Sequence, residues 1–281
     1  MEDKVLILGH KGMLGGQLMK VFGVRAIGWD REDVDVTDNA QLIGKLKAIS
    51  HQLKAIINCV AYNDVDGAET HQSIALKLNQ QVPGGLALIC KDLDIPLVHF
   101  SSNYIFDGKK GEYMENDLPQ PQSVYGQTKY NGELEIIKNT NQYYIIRTSV
   151  LFGPKGESAL AKKSFVELML DLSKRQSSIK AVVDEINSLT YAPDLAAAVK
   201  KLLDDKKTFG VYHITNSGSA SWFDFAQEIF RIINKQIILE PVGSTEFKRL
   251  AKRPKKAVLL NTKLESLRSW QGALKEFLLL Q

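Results

Sequence analysis

Tyr125 and Lys129 stand four residues apart in Tyr125-Gly-Gln-Thr-Lys129. On a helix that spacing projects the phenol and the ammonium from one face. A free phenol, with a pKa of about 10, is a poor acid-base catalyst near neutrality. A neighbouring ammonium favours the phenolate and draws the group toward the working range. Upstream, Pro96-Leu-Val-His-Phe-Ser-Ser102 reads as a strand that delivers two hydroxyls to one sheet edge. The Tyr-Lys spacing recurs by chance on helices, so its weight comes from what precedes it along the chain.

That is Lys4-Val-Leu-Ile-Leu-Gly-His-Lys-Gly-Met-Leu-Gly-Gly-Gln-Leu18. Val5 to Leu8 read as a buried strand, and Leu14, Leu18 and Val21 recur at helical spacing. Between them Gly9, Gly12 and Gly15 follow a G-x-x-G-x-x-G pattern suited to a pyrophosphate. Gly9 allows the tight turn, Gly12 lets backbone approach phosphate, and Gly15 lets helix pack on strand, with the helix N-terminus toward the anion. Ala26 to Asp30 reads as a second strand, and Asp30 lies where an acid accepts from a ribose hydroxyl. Arg31 and Lys11 argue instead for a 2′-phosphate, so the phosphorylated and unphosphorylated dinucleotides both stay open. Lys129 can also reach the nicotinamide ribose.

The elements that would position these groups alternate. Thr37 or Asp38 caps a helix around Ala40 to Ile49, and Ala55 to Ala61 is a nearly continuous apolar strand, as in a parallel sheet covered on both faces. Beyond that strand, Tyr62, Asn63, Asp64, Asp66 and Glu69 form a candidate site wall. A helix from about Pro83 to Leu93, the Pro96 to Ser102 strand and a strand over Tyr143 to Ser149 complete a doubly wound α/β pattern. Further on, Phe165 to Leu172, Ala192 to Leu203 and Phe223 to Ile233 read as helices. Ile179 to Val183, Gly210 to Thr215 and Gln236 to Leu239 read as strands. With no repeat or low-complexity linker, a second domain is expected to interleave with the first: 1–151 and 187–215 for dinucleotide binding, 152–186 and 216–281 for substrate.

The chain of 281 residues is 44% hydrophobic with a net charge of +4, enough for a sizeable core and too mildly basic to argue for nucleic acid. Cys59 and Cys90 read as core thiols, His99 as a core histidine, and the five histidines lack metal-ligand spacing. No apolar run reaches membrane-spanning length and no signal segment opens the chain, so a cytoplasmic protein without membrane contact is expected.

Gly9-His-Lys-Gly-Met-Leu-Gly15, Ser101-Ser-Asn-Tyr-Ile-Phe-Asp-Gly108 and Tyr125-Gly-Gln-Thr-Lys129 together resemble the extended short-chain dehydrogenases/reductases that act on nucleotide sugars. Asn58-Cys-Val-Ala-Tyr-Asn-Asp-Val-Asp-Gly-Ala-Glu69, Ile146-Arg-Thr-Ser149, Val183-Asp184 with Thr190, and Ala251-Lys-Arg-Pro254 narrow the resemblance to the dTDP-4-dehydrorhamnose reductase family. It spans nearly the whole chain and implies a Rossmann-type doubly wound parallel sheet with a smaller interleaved α/β substrate domain. The implied reaction is reduction of the 4-keto group of a dTDP-linked 6-deoxyhexose, dTDP-4-dehydro-L-rhamnose to dTDP-L-rhamnose, by NADPH or NADH. Ser102, Tyr125 and Lys129 fall on the catalytic positions, with Tyr125 protonating the developing alkoxide and Ser102 hydrogen-bonding the same oxygen.

The resemblance further implies a cofactor surface of Gly9, Lys11, Gly12, Met13, Leu14, Gly15, Asp30, Arg31, Asp35, Val36, Cys59, Val60, Ala61, Tyr62, Asn79, Tyr125 and Lys129. The substrate surface is Ser102, Asn103, Tyr104, Val150 and Arg253, whose fork suits a diphosphate; no metal is implied, and a homodimer is open. The chain departs from the family pattern at Ser102 and Asn103, where Thr and Asp are usual, and at Val150, where Trp is common. It departs again at Asn187 and Leu189, in place of Gly and Pro before Thr190. Two other readings compete: a nucleotide-sugar epimerase or GDP-fucose-synthase-like enzyme of the same extended class, and a non-catalytic NADP-binding regulatory subunit.

Overall fold

The computed structural model describes residues 3–158 and 163–280. The first half runs β1 (Lys4–Leu8), α1 (Met13–Phe22), β2 (Ala26–Trp29), α2 (Asn39–Ile49), β3 (Leu53–Asn58), α3 (Val65–Thr70), α4 (Gln72–Leu76), a π-helical turn (Lys77–Gln81), α5 (Val82–Asp92), β4 (Leu97–Ser102), β5 (Gly111–Tyr113), α6 (Val124–Asn139) and β6 (Tyr143–Thr148). The second continues with β7 (Leu151–Phe152), α7 (Phe165–Leu172), β8 (Ser178–Val182), β9 (Ile186–Ser188), β10 (Thr190–Tyr191), α8 (Ala192–Asp204) and β11 (Gly210–His213). It ends with β12 (Asn216–Ser217), β13 (Ser219–Ser221), α9 (Trp222–Ile232), β14 (Ile238–Val242), β15 (Lys256–Leu259), β16 (Leu267–Ser269) and α10 (Trp270–Leu279).

Six parallel strands form the main sheet in the order β11-β6-β4-β3-β1-β2. The winding reverses between β1 and β3, and in such sheets a ligand sits beyond the strand carboxyl ends at that reversal. Side chains alternate across the sheet. Val5, Ile7, Ile57, Val98 and Ile146 pack under α1 and α8, whereas Leu6, Leu8, Ile56, Leu97 and Ile145 pack under α2, α5 and α6. Both faces are covered, which is why these strands read as continuous apolar runs.

Smaller sheets make up the rest: β13-β9-β15-β5, and the pairs β14-β8, β10-β7 and β12-β16. Phe152, Tyr191, Phe225, Trp270 and Phe277 fill a separate core beneath α7, α9 and α10. The sheets cross the intervals expected for the two domains: β5, inside 1–151, joins β9 and β15 in the four-stranded sheet.

Several boundaries move for physical reasons. The strand expected to reach Ala61 stops at Asn58, because the Asn58 side chain accepts the Val60 N–H at 3.0 Å and turns the chain. Asp38, not Thr37, caps α2, accepting from Ala40 and Gln41. The helix expected from Pro83 is the last part of a longer helical run that begins at Gln72 and passes through the π-helical turn. The last expected strand shifts from 236–239 to Ile238–Val242, in register with β8. No helix of the described residues is long and apolar enough to cross a membrane.

Candidate active site

The glycine turn closes as its spacing requires. Gly9 has φ +76 and donates to the Trp29 carbonyl at 2.8 Å, Gly12 donates back to Gly9 at 3.1 Å, and Gly12 is the N-cap of α1, with no side chain capping it. A Cβ on Gly15 would lie 2.2 Å from the Gly9 carbonyl oxygen, so only glycine lets α1 seat this close to the turn. No side chain caps the N-terminus of α1, whose first turn holds Met13 and Leu14 and whose free N–H groups suit a pyrophosphate; the backbone at Gly156 lies against it, where a Cβ would come 2.6 Å from Met13 N, and Ser158 N–H donates to the Lys11 carbonyl at 2.9 Å. Asp30 lies beside it, one oxygen accepting from Lys11 N at 3.2 Å and the other from Arg31 N at 2.8 Å. The Lys11 ammonium pairs with Glu32 at 3.0 Å, which holds it above its ordinary pKa; Arg31 is exposed. An exposed pair of this kind is weak enough to exchange for a phosphate.

Asp35 is turned onto Thr37, whose N–H and hydroxyl it accepts and which holds the carboxyl low, and Val36 packs against the α2 core. Past β3, Cys59 N–H continues the ladder to Leu8, and Val60 leans on Gly9. Burial pushes both the Cys59 and Cys90 thiols up, leaving them protonated. Ala61 and Tyr62 follow. Asn79, expected at the cofactor, is a brace: its amide accepts from Tyr62 N at 2.9 Å and donates to Tyr62 O at 3.1 Å and Thr128 Oγ1 at 3.2 Å. It sits on the π-helical turn, and a Cβ on Gly132 would lie 2.1 Å from its carbonyl oxygen, so α6 lies directly against this turn.

Helix α6 carries Tyr125 and Lys129. Ser123 caps it by accepting from Gly126 N, and Glu69 accepts from Val124 N at 2.9 Å. Gly126 has no room for a Cβ, which would lie 2.3 Å from the Tyr104 carbonyl oxygen. Ser102, at the end of β4, accepts from Tyr104 N at 3.2 Å, and its hydroxyl lies near enough to the Tyr125 phenol to favour the phenolate. The Tyr104 and Tyr125 rings meet edge-on with centroids 5.7 Å apart. Lys129 is buried and donates Nζ to the Phe100 carbonyl of β4.

The electrostatics differ from the sequence expectation. Burial dominates the Tyr125 phenol and pushes it up to about 12, with Ser102 pulling it back down and Tyr104 raising it. Burial also drives Lys129 down to about 8, opposed by Glu133. The phenol is thus protonated near neutrality, and no pull from Lys129 brings it toward the phenolate. Glu133, one turn beyond Lys129, is bound by the Arg147 fork at 2.8, 3.1 and 3.2 Å. Its place four residues after Lys129 was the available sequence signal.

Arg253, expected at the substrate diphosphate, pairs with Asp66 through two hydrogen bonds of 2.7 and 3.1 Å and donates to Ala251 O at 3.1 Å; the guanidinium holds the Asp66 carboxyl at about 2. Burial raises the Tyr104 phenol, and the same arginine opposes that rise. Asn103 turns away from Arg253 toward β9 and β15. Val150 has φ +39, rare for a β-branched residue, and Thr190 secures that turn by donating its N–H to Val150 O at 3.1 Å and its hydroxyl to Ser149 O at 2.6 Å. His99 is buried, with Nδ1 beside Asn58 Nδ2 at 3.1 Å and Nε2 without a partner.

Residues 3–280 match the family described as the RmlD substrate binding domain. A probable dTDP-4,6-dihydroxy-2-methyloxan-3-one 4-ketoreductase of Streptomyces antibioticus is 34% identical, the match covering 96% of this chain and 93% of that protein. A dTDP-4-dehydrorhamnose reductase of Clostridium acetobutylicum superposes with a TM-score of 0.92 at 35% identity, over 99% of each chain. The dTDP-4-dehydrorhamnose reductase of Bacillus anthracis, solved in complex with NADP, gives a TM-score of 0.93 at 32% identity over 100% of each.

Proposed function

The chain belongs to the RmlD substrate binding domain family, and from that premise we propose that it reduces the 4-keto group of a dTDP-linked 6-deoxyhexose with NADPH, dTDP-4-dehydro-L-rhamnose being the substrate of choice. It is an NAD(P)-dependent oxidoreductase. The observation that carries the reading is the approach of Ser102 and Tyr125 at the carboxyl end of β4, with Lys129 buried on the same helix as Tyr125 and the glycine turn closing the carboxyl end of β1 in the same sheet.

When bound, NADPH supplies the hydride that the carbonyl carbon accepts. Gly12 and the first turn of α1 would hold its diphosphate, and Lys11, now paired with Glu32, and Arg31 would take a 2′-phosphate. Lys129, whose ammonium is held on the Phe100 carbonyl, would donate to the nicotinamide ribose. As the carbonyl oxygen gains charge, Tyr125 Oη gives it a proton and Ser102 Oγ–H donates a second hydrogen bond, interactions that strengthen only as the charge develops. The phenolate left on Tyr125 then regains its proton from solvent. Arg253, released in part from Asp66, supports the substrate diphosphate.

Incubation with NADPH and dTDP-4-dehydrorhamnose is expected to consume one reduced nicotinamide for each 4-hydroxyl formed. Sugar conversion without net loss of the reduced-nicotinamide absorbance would mark an epimerase and overturn the assignment. Tight NADPH binding with no turnover on any 4-keto sugar would mark a regulatory subunit.

A further inference from the structure

Asn103 and Asn187 lie 84 residues apart in the chain, and they are hydrogen-bonded to one another at 2.8 Å. Both are buried, as is Ser102. Asn103 Nδ2 carries two hydrogens and uses both, one on Asn187 Oδ1 and one on the Ala257 carbonyl at 3.1 Å. Because a backbone carbonyl only accepts, the amide orientation is determined: nitrogen toward β9 and β15, oxygen toward Ser102. The Ser102 hydroxyl lies 3.4 Å from that oxygen and accepts the Tyr104 N–H on its other side.

We propose that Asn103 is a positioning residue rather than a substrate ligand: it ties the Ser102 hydroxyl to the four-stranded sheet that closes the substrate side. The inference rests on the reductase reading for its kinetic consequence. In the free enzyme Asn103 Oδ1 holds the Ser102 proton, and the weak 3.4 Å contact releases it to a substrate oxygen at little cost. The two donor bonds of Nδ2 keep Oδ1 in place through that exchange. An aspartate here would set a carboxylate against the Ala257 carbonyl oxygen and hold the Ser102 proton through a stronger charge-assisted bond. An amide is therefore needed at this position in this chain, and Asn187 supplies the matching acceptor.

Two variants test this, Asn103→Asp and Asn187→Leu, each measured for kcat, sugar KM, NADPH affinity and exchange of the Tyr104 amide. Each variant is expected to lower kcat about tenfold or more, a change of one order in the rate constant, while sugar KM and NADPH affinity stay within about twofold. Burial against the Asn187 and Ala257 acceptors would raise the carboxyl of Asn103→Asp above its ordinary value of about 3.9, so its kcat relative to wild type at the same pH is expected to recover as pH falls from about 8 toward about 5, and that of Asn187→Leu is not. The Tyr104 amide, protected by Ser102 Oγ, is expected to exchange faster in both. Wild-type kcat in either variant, or a loss confined to sugar KM, overturns the positioning role. If the wild type itself reduces no 4-keto dTDP-sugar, the reductase reading fails, and unchanged Tyr104 exchange in both variants then overturns the tether on its own.

Discussion

Replacing Lys129 by Met should make the protein more stable and useless as a reductase. Burial lowers the ammonium from its ordinary 10.5 to about 8, so at pH 7 the folded state carries a charge it would rather not hold. That fall corresponds to about 3 kcal/mol of destabilisation. Methionine fills similar length without the charge but forfeits the hydrogen bond to the Phe100 carbonyl, a loss of about 1 kcal/mol. The net gain is about 2 kcal/mol at pH 7, which moves a melting midpoint of a chain this size up by about 3 °C. The sign follows from proton counting. Between about 8 and 10.5 the unfolded chain binds a proton that the folded chain does not, so wild-type stability rises with pH through that window, and the advantage of Met shrinks until it vanishes. Urea midpoints of both proteins at pH 7 and pH 10, followed by circular dichroism, give the comparison. A Met variant less stable than wild type at pH 7, or one whose advantage is equal at both pH values, would refute the reasoning.

Tyr125→Phe removes the proposed proton donor while keeping the ring that meets Tyr104, so turnover should fall by about a hundredfold or more with NADPH affinity within about twofold; a variant that keeps its kcat in steady-state assays sinks the role. Glu133→Gln removes the countercharge of the buried Arg147, at an expected cost of about 3 kcal/mol of stability, and leaves Lys129 without the carboxylate that opposes its deprotonation. Its NADPH affinity should therefore decline at lower pH than that of wild type, and a calorimetric pH series with coincident midpoints would contradict this.

The main sheet was legible because its strands are buried on both faces and its helices carry apolar residues at helical spacing, a pattern that needs no partner to be read. The glycine turn was legible for a similar reason: Gly9, Gly12 and Gly15 act on backbone atoms within a few residues of themselves. What could not be read was which distant group each polar side chain would meet. Asn79 is spent on Tyr62 and Thr128, Arg253 is held by Asp66 from the far side of the chain, and Asn103 faces Asn187 and Ala257. The phenol-ammonium argument failed in the same way. The four-residue spacing was right, yet burial outweighs the neighbouring charge at Tyr125, and burial is a property of the assembled layers.

A buried ammonium beside a buried phenol must be supported, and α6 supports it along one face. Tyr125, Lys129 and Glu133 follow one another at four-residue steps, and Arg147 on β6 binds the last of them with three hydrogen bonds. Lys129 is tied to β4 at Phe100 and Arg147 reaches back to the Glu115 carbonyl at 3.0 Å, so both cations fasten the helix to the strands beneath it. The opposing charge of Glu133 limits how far burial can lower Lys129, and Arg147 in turn makes a carboxylate tolerable at a fully enclosed position. The two ion-bearing turns of α6 therefore form one electrostatic unit. Removing Glu133 loosens the helix that aims Tyr125 and discharges the lysine beneath it, so stability and cofactor binding should decline together there, whereas at Lys129 they separate.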